Sequence, residues 1–281
     1  MPHRLGFSTL GCPKWPWAKV LEQASALGYA GIELRGLEGE MDLTKRPEFA
    51  ARRLAETRKE IADRGLVISD LGASARLHER DPAKQAPHLD EARRFIDLAH
   101  NLGSPWVRVF PDAYLPDEPH QTTLQRIGET LAALGTFALG SGVGVLMESH
   151  GALTDSPSLA AVMNVADTVS NVGLVWDTHH TVVEGRETPE ATWATLGKWV
   201  RHTHIKDSVP DGKDHRYVLL GQGTVGVQAI VQALVRGGYD GFFGFEWEKV
   251  WHPEIDEPEV AFPQYIETMK KWLQEPGTKP V

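Results

Sequence analysis

Four side chains suited to binding a cation lie at or near the ends of short apolar runs. They are Glu148, Asp177, His204 and Glu246. Three carboxylates held close together repel one another strongly where the effective dielectric is low. A divalent cation cancels this repulsion, and oxygen ligands with one imidazole suit Mn2+, Mg2+, Co2+ or Zn2+. The four residues therefore predict one divalent metal ion, if the fold brings them together. The alternative is that each forms an ordinary ion pair at its own strand end.

Further polar residues flank these candidates. His202 and His204 share one face of their strand, because side chains repeat every two residues. His204 lies nearer the strand end and is the predicted ligand, whereas His202 is either its partner in a second layer or a buried core histidine. Lys206 could donate to a substrate oxygen or pair with a nearby carboxylate. His180 follows Asp177 by three residues and could contact substrate or a second metal, or be a plain loop histidine.

Two kinds of sequence pattern alternate along the chain, and they predict its secondary structure. Short β-branched or apolar runs predict strands at 4–8, 31–35, 67–71, 106–110, 144–148, 173–177, 200–206 and 242–247. Helical patterns lie between and after them, at 17–27, 48–64, 89–102, 124–139, 158–169, 189–199, 225–236 and 260–273. Glycine directly follows several of these helices, as expected of a left-handed stop signal.

Eight strand-then-helix units predict an α/β fold, a single (β/α)8 or TIM barrel, spanning residues 1–281 as one domain. Active sites of such barrels lie at the C-terminal ends of the strands, which would carry the four metal-ligand candidates to the same rim. An open doubly wound sheet is the alternative. That fold usually has a Gly-rich phosphate loop after its first strand, and residues 9–13, Thr-Leu-Gly-Cys-Pro, do not form one.

Composition excludes several classes of function. The chain has 281 residues, 41% hydrophobic and 24% charged, which is ordinary for a globular protein. Its net charge of −9 disfavours a nucleic-acid partner. No stretch approaches the roughly 18 apolar residues of a membrane helix, and the N-terminus lacks an apolar signal-peptide region. With a single cysteine, Cys12, no internal disulfide can form, so we expect a cytoplasmic protein with no membrane partner.

These motifs together resemble a known family. Glu148, Glu246 and the segments 176–180 (Trp-Asp-Thr-His-His) and 204–207 (His-Ile-Lys-Asp) are similar to those of the sugar phosphate isomerase/epimerase family, also called xylose-isomerase-like TIM barrels. The resemblance spans essentially the whole chain and includes ketose 3-epimerases and inosose dehydratases. It implies a metal-dependent isomerase or epimerase that acts on a small carbohydrate, a keto-sugar or polyol. Homo-oligomers are common in the family, although nothing in the chain specifies a copy number.

The resemblance also assigns roles to residues. In the ketose 3-epimerase branch, residues matching the four predicted ligands bind one divalent metal. The residues matching Glu148 and Glu246 also exchange a proton with the substrate carbon, one on each face. Chemically, a metal that stabilises the enediolate makes such a carbon acid ionisable, and one carboxylate abstracts the proton that another can return. The residues matching His180, Arg216 and Glu33 contact substrate or line its pocket.

Other interpretations remain open at this stage. Trp15 follows the first strand and could cover the apolar face of a sugar, or could pack outside the barrel. The same enediolate chemistry serves a lyase, either a keto-inositol dehydratase or an enzyme of β-elimination on a 3-keto-glycoside. The chain also partly resembles endonuclease IV, a phosphodiesterase, but strand four ends Phe110-Pro111-Asp112 without the histidine which that metal cluster needs. A barrel that binds without turnover is a further alternative.

Overall fold

Eight parallel strands close into a barrel in this computed structural model, which describes residues 3–274. The strands are β1 (Arg4–Ser8), β2 (Gly31–Leu34), β3 (Val67–Arg76), β4 (Trp106–Phe110), β5 (Gly144–Glu148), β6 (Val172–Asp177), β7 (Val200–Ile205) and, after two strands outside the barrel, β10 (Phe242–Phe245). Their order around the barrel is β1-β10-β7-β6-β5-β4-β3-β2. The predicted (β/α)8 barrel is confirmed.

Helices on the outside connect these strands. They are α1 (Trp17–Leu27), α2 (Leu54–Ala62), α3 (Pro82–Leu102), α4 (His120–Ala138), α5 (Ser156–Ala166), α6 (Pro189–Leu196), α7 (Val227–Arg236) and α8 (Pro258–Gln274). Gly28 and Gly103 end α1 and α3 in the left-handed conformation, with φ of 80° and 78°, as the sequence indicates. None of the helices described here combines the length and apolar character that a bilayer-spanning segment needs.

An antiparallel hairpin follows β7 and was not predicted from the sequence. Its strands are β8 (Asp207–Asp211) and β9 (Asp214–Val218). The carboxylate of Asp207, 2% exposed, accepts hydrogen bonds from the backbone N–H groups of Gly221 at 2.9 Å and Gly223 at 3.0 Å. Asp207 therefore fastens the segment after the hairpin to the base of the hairpin.

The layer between barrel and helices is rich in aromatic rings. Phe245 of β10 stacks on Tyr265 of α8 with ring centroids 4.4 Å apart, and Phe7 of β1 lies 4.4 Å from Phe262 of the same helix. Such pairs add to the free energy gained by burying apolar area. This packing holds β1 and β10 against α8, where the barrel closes.

Candidate active site

A cavity of about 400 Å³ opens where the barrel strands end at their carboxyl termini. This volume is within the range of small-molecule sites, about 300–1,000 Å³. Polar side chains dominate its wall. The lining residues are Leu10, Arg35, Met41, Ser74, Arg76, Arg108, Phe110, Glu148, His150, His180, Lys206, Tyr217, Glu246, Glu248 and Trp251.

The four predicted metal ligands meet at this end of the barrel. One donor atom from each of Glu148, Asp177, His204 and Glu246 lies within 4.8 Å of the others, and all four residues are buried. The Nδ1 atom of His204 is 3.2 Å from Glu148 Oε1, 3.2 Å from Glu246 Oε1 and 4.0 Å from Asp177 Oδ2. Four strand ends thus supply one compact group of three carboxylates and an imidazole.

Backbone hydrogen bonds orient Asp177 within this group. Its Oδ1 atom accepts the N–H groups of His179 at 2.9 Å and of His180 at 3.1 Å. A π-helical turn, His180–Glu184, begins at the second of these two residues. Such turns are rare and occur frequently at functional sites. Because Oδ1 is occupied by the turn, Oδ2 is the oxygen that faces the cluster.

Glu33 of β2 contacts the ring nitrogen of His204 that points away from Glu148 and Glu246. Its Oε2 atom lies 2.7 Å from Nε2 of His204, and its Oε1 atom accepts a hydrogen bond from the Ser8 hydroxyl at 2.9 Å. Glu33 is 1% exposed and does not line the cavity, so the expectation of a pocket-lining residue does not match its position. With Nε2 directed at Glu33, Nδ1 of His204 is the nitrogen that faces the carboxylates.

His202 completes this layer behind the site. Its Nε2 atom is 3.5 Å from Glu33 and 3.6 Å from Asp70 Oδ1. Gly244 leaves room for this ring, since a Cβ atom there would lie 2.7 Å from the same nitrogen. Of the two interpretations of His202 from the sequence, the contacts favour the partner in a second layer.

Lys206 lies among the carboxylates and is fully buried. Its Nζ atom is 2.7 Å from Asp177 Oδ2, 2.6 Å from Glu246 Oε2 and 2.5 Å from Glu248 Oε1. Burial alone would lower the pKa of Lys206, but these three carboxylates raise it well above its usual value. The lysine therefore stays charged, pairs with the carboxylates as one sequence-based alternative proposed, and also borders the cavity.

The environments of the two predicted catalytic glutamates differ. Burial raises the pKa of Glu246 to about 7, although His204 and Lys206 act in the opposite direction. Burial would also raise the pKa of Glu148, but His204 and Arg108 hold it below its usual range. The Nε atom of Arg108 is 3.0 Å from Glu148 Oε2. Of the two glutamates, Glu148 therefore has the lower pKa and is the stronger acid when no cation is bound.

The donor set fits a divalent cation. Burial would lower the pKa of His204, yet Glu246, Glu33 and Glu148 raise it well above its usual value, so the cluster favours positive charge at this point. Asp177 Oδ2 and Glu148 Oε2 are buried, and each lies in ion-pair contact with one cationic side chain, Lys206 at 2.7 Å and Arg108 at 3.0 Å. Three carboxylates and one imidazole that gather excess negative charge suit an ion such as Mn2+ or Zn2+.

The remaining predicted residues lie in different places. His180 lines the cavity, and its Nδ1 atom is 2.8 Å from the Ser149 carbonyl oxygen. Arg216 is exposed on β9 and lies outside the cavity wall. Trp15 is also absent from that wall, because its ring packs on Phe262 at 5.4 Å in the outer layer. The predicted substrate contact of Arg216 is therefore not supported by its position, and of the two interpretations of Trp15 the contacts favour packing outside the barrel.

Several lining residues were not assigned to the site from the sequence. Tyr217 faces the cavity because side chains alternate along β9, which turns its neighbour Arg216 to solvent. Arg35 and Glu248 lie just after β2 and β10, where a barrel active site is expected. The positions of Arg35 and Glu248 near strand ends could have identified them from the sequence. The position of Tyr217 could not be predicted, because it depends on the hairpin that the sequence analysis missed.

Comparison with known proteins agrees with this fold and site. Residues 21–274 match the family described as xylose isomerase-like TIM barrel, and the chain belongs to that family. The resemblance inferred from the sequence motifs is thereby confirmed.

Full-length relatives support the same assignment. Fructoselysine 3-epimerase of Shigella flexneri is 25% identical over 285 residues, covering 97% of this chain and 99% of the relative. The IolI protein with a bound zinc atom superposes with a TM-score of 0.80 at 19% identity, covering 97% and 100% of the two chains. The probable 3-DHS dehydratase AsbF of Bacillus anthracis gives 0.77 at 17% identity, covering 95% and 98%. The expectation that the chain is an enzyme is confirmed.

Proposed function

We propose that the protein is a divalent-metal-dependent isomerase or epimerase of a small carbohydrate, a keto-sugar or polyol. One observation carries this proposal: four donor atoms from four strand ends lie within 4.8 Å of one another beside a cavity of small-molecule size. The 3-epimerase relative supports the reaction class. The substrate of that relative, as its name gives it, is a keto-sugar derivative, which agrees with the proposed substrate class.

Glu148, Asp177, His204 and Glu246 would hold the cation. When bound, such an ion acts as a Lewis acid that makes a C–H bond beside a carbonyl more acidic. Mn2+, Mg2+, Co2+ and Zn2+ all suit this donor set. Glu33 keeps the Nε2–H of His204 engaged, so that Nδ1 is free to serve as a ligand.

Glu148 and Glu246 are the proposed proton-transfer groups. Both line the cavity, and they come from strands on either side of β6 and β7. In one direction Glu148 takes the proton from the substrate carbon, and Glu246, whose pKa is higher, returns one to the other face. His180 and Lys206 also line the cavity and can donate hydrogen bonds to substrate oxygens.

A lyase is the second candidate, and Tyr217 favours it. Tyr217 is 5% exposed at the cavity, and its hydroxyl donates to Glu248 Oε1 at 3.0 Å. Burial raises the pKa of Tyr217, so the hydroxyl stays protonated and can donate a hydrogen bond to a departing oxygen. The superposition on a dehydratase shows that such barrels share this fold. Release of water, or of the aglycone from a 3-keto-glycoside, would identify this reaction.

The proposal also includes the setting of the enzyme. We propose a small carbohydrate as its partner in the cytoplasm, with neither nucleic acid nor membrane as a binding partner, since the net charge is −9. Self-association into a homo-oligomer stays a prediction. So does the single-domain assignment of residues 1–281.

Solvent deuterium exchange tests the reaction. Ketoses, inososes and 3-keto-sugars are incubated in deuterium oxide with each of the four metals, and incorporation at carbon is read by mass spectrometry. Glu246→Gln should reduce incorporation by about 100-fold or more, in line with the usual contribution of acid–base catalysis, while metal still binds. The exposed Glu254→Gln is the control. Near-normal exchange in Glu246→Gln would remove the two-carboxylate mechanism.

A further inference from the structure

Arg35 lies in the cavity wall without a partner for its charge. Its side chain is 7% exposed, and Nη1 is buried with no hydrogen-bond partner among residues 3–274. No carboxylate in that part of the chain lies within ion-pair distance of it, although Glu148, Glu33 and Glu91 act on it through space. Since buried arginines are almost always paired, this guanidinium marks a place where a ligand is expected.

A glycine of β3 leaves the space that the Arg35 side chain occupies. Gly72 of β3 has no side chain, and a Cβ atom there would lie 2.5 Å from Arg35 Cδ and 2.7 Å from Arg108 Nη2. Two guanidinium groups from β4 and the end of β2 therefore lie together over a gap in β3. Both are also near the ring of Phe110, at 5.9 Å for Arg35 and 4.0 Å for Arg108.

The charges of the neighbouring arginines are already matched. Arg108 lies against Glu148 at 3.0 Å, and its Nη1 donates to the Ala73 carbonyl oxygen at 2.9 Å. Arg76 is half-exposed at the mouth of the cavity and pairs with Asp112 at 3.5 Å. Among the three arginines of the cavity wall, Arg35 is thus the one whose charge is not paired with a carboxylate of residues 3–274, so its charge is available to a ligand. Its guanidinium can bind a carboxylate or a phosphate through two parallel hydrogen bonds.

We propose that the substrate is an acidic keto-sugar whose carboxylate or phosphate group binds Arg35, with Arg108 and Arg76 close by. The inference rests on the proposed function, because it assumes that the reacting carbon faces Glu148 and Glu246. The anionic end then lies against the β2–β4 side of the cavity, and the carbonyl end lies against the carboxylate cluster. Arg35 is a specificity-determining residue in this arrangement, whereas the cluster performs the chemistry.

Three probes with a common carbon skeleton test the proposal. They are D-fructose, D-fructuronate and D-fructose 6-phosphate, which differ in carrying no anion, a carboxylate or a phosphate. Isothermal titration calorimetry on the full chain measures their binding without requiring turnover. At least one acid should bind about 10- to 100-fold more tightly than D-fructose, as expected for charge-assisted hydrogen bonds. The tighter of the two acids identifies which anion the site takes.

Variants then show which residue causes the tighter binding of the acid. Arg35→Gln should remove the preference for the acid and leave D-fructose binding within about 2-fold, whereas Arg35→Lys should retain part of it. The exposed Arg58→Gln, which removes the same charge from α2, should change nothing. Thermal unfolding of each variant checks that it is folded. Equal affinity for all three probes, failure of both acids to bind at millimolar concentration, or an unchanged preference in Arg35→Gln overturns the proposal.

This experiment separates the two proposals. A preference for acids that depends on Arg35, found together with absence of carbon-bound deuterium exchange, keeps the anion site and rejects the isomerase chemistry. Deuterium exchange on neutral and acidic sugars alike, with equal affinities, keeps the chemistry and rejects the anion site.

Discussion

At the scale of single residues, a substitution of Glu33 tests whether this carboxylate positions His204 to bind a cation. Replacing it with Gln removes the negative charge that faces Nε2 at 2.7 Å. We expect the affinity for Mn2+ to fall by about 10- to 100-fold, the usual effect of losing a partner behind a metal ligand. Calorimetric titration of metal-depleted protein measures the change.

The control for this prediction is Asp70→Asn. Asp70 is also buried in the layer behind the site, but it faces His202 at 3.6 Å and accepts the Ser69 hydroxyl at 2.7 Å. Its replacement should alter Mn2+ affinity much less. An affinity that is the same in Glu33→Gln and in the unaltered protein would show that Glu33 does not position the ligand.

Lys206 allows a prediction about charge balance. Lys206→Met leaves Asp177, Glu246 and Glu248 buried or partly buried without their cation. In metal-free protein we expect a loss of about 3–5 kcal/mol in the free energy of unfolding, as for other broken buried ion pairs. Adding Mn2+ should recover part of this loss, because it restores positive charge to the same carboxylates. Urea denaturation with and without Mn2+ measures both effects.

An exposed ion pair provides the comparison. Lys59 lies 2.5 Å from Asp63 on α2 and is 73% exposed. Lys59→Met removes a lysine in the same way but should change the free energy of unfolding by less than about 1 kcal/mol, because water screens such pairs. Equal effects of the two substitutions would contradict the structural account of Lys206.

Residue chemistry made part of the site predictable. Carboxylates and imidazole at strand ends predict the four candidate ligands, because parallel strands of a barrel end at one rim. The positions of Arg216 and Trp15 were not predictable, for different reasons. The face of Arg216 depends on the register of a hairpin, whereas Trp15 depends on which layer contacts the start of α1. Neither property can be derived from local sequence.

At the scale of elements, Asp207 links the hairpin to the segment that leads into α7. Its carboxylate accepts backbone N–H groups from Gly221 and Gly223. Asp207→Asn replaces one acceptor oxygen with a donor, so we expect a loss of about 1–3 kcal/mol in the free energy of unfolding, as for unsatisfied buried groups. Chemical denaturation measures the loss. Asp211→Asn, an exposed residue of the same β8 strand, should have almost no effect.

The hairpin itself also shows where sequence patterns fail. Residues 207–218 contain few apolar side chains, so their alternation does not indicate strands. Helix α3 begins at Pro82, seven residues before its predicted start, because Pro87 reads as a breaker yet lies within the first turns. Asp81 accepts the N–H of Ala83 and marks the true start.

At the scale of the whole molecule, a bound cation should stabilise the fold. A ligand that binds only the native state adds about 2.7 kcal/mol when its concentration is 100 times its dissociation constant. We therefore expect Mn2+ to raise the midpoint of thermal unfolding by several degrees, and EDTA to reverse the rise. Differential scanning calorimetry measures both changes. An unchanged midpoint at saturating Mn2+, Mg2+, Co2+ and Zn2+ would contradict a metal site.

The barrel was predictable at this scale because its signal is repeated eight times. Each strand-helix unit is ambiguous alone, but parallel strands joined by helices leave few topologies, and eight of them close. Closure is also what converts separate strand ends into one site. Local sequence does not contain the relative rotation of side chains across the barrel, so contacts such as that of Glu33 with His204 appear only in three dimensions.

That contact has a consequence for the order of folding. Glu33 and His204 are separated by 171 positions in the chain, and they belong to strands that are not neighbours in the sheet. An intermediate with only its early strands assembled has no correctly held imidazole, and such distant pairings form slowly. In a refolding experiment, tight capture of Mn2+ should therefore develop with the slowest phase rather than with the rapid gain of helical circular dichroism.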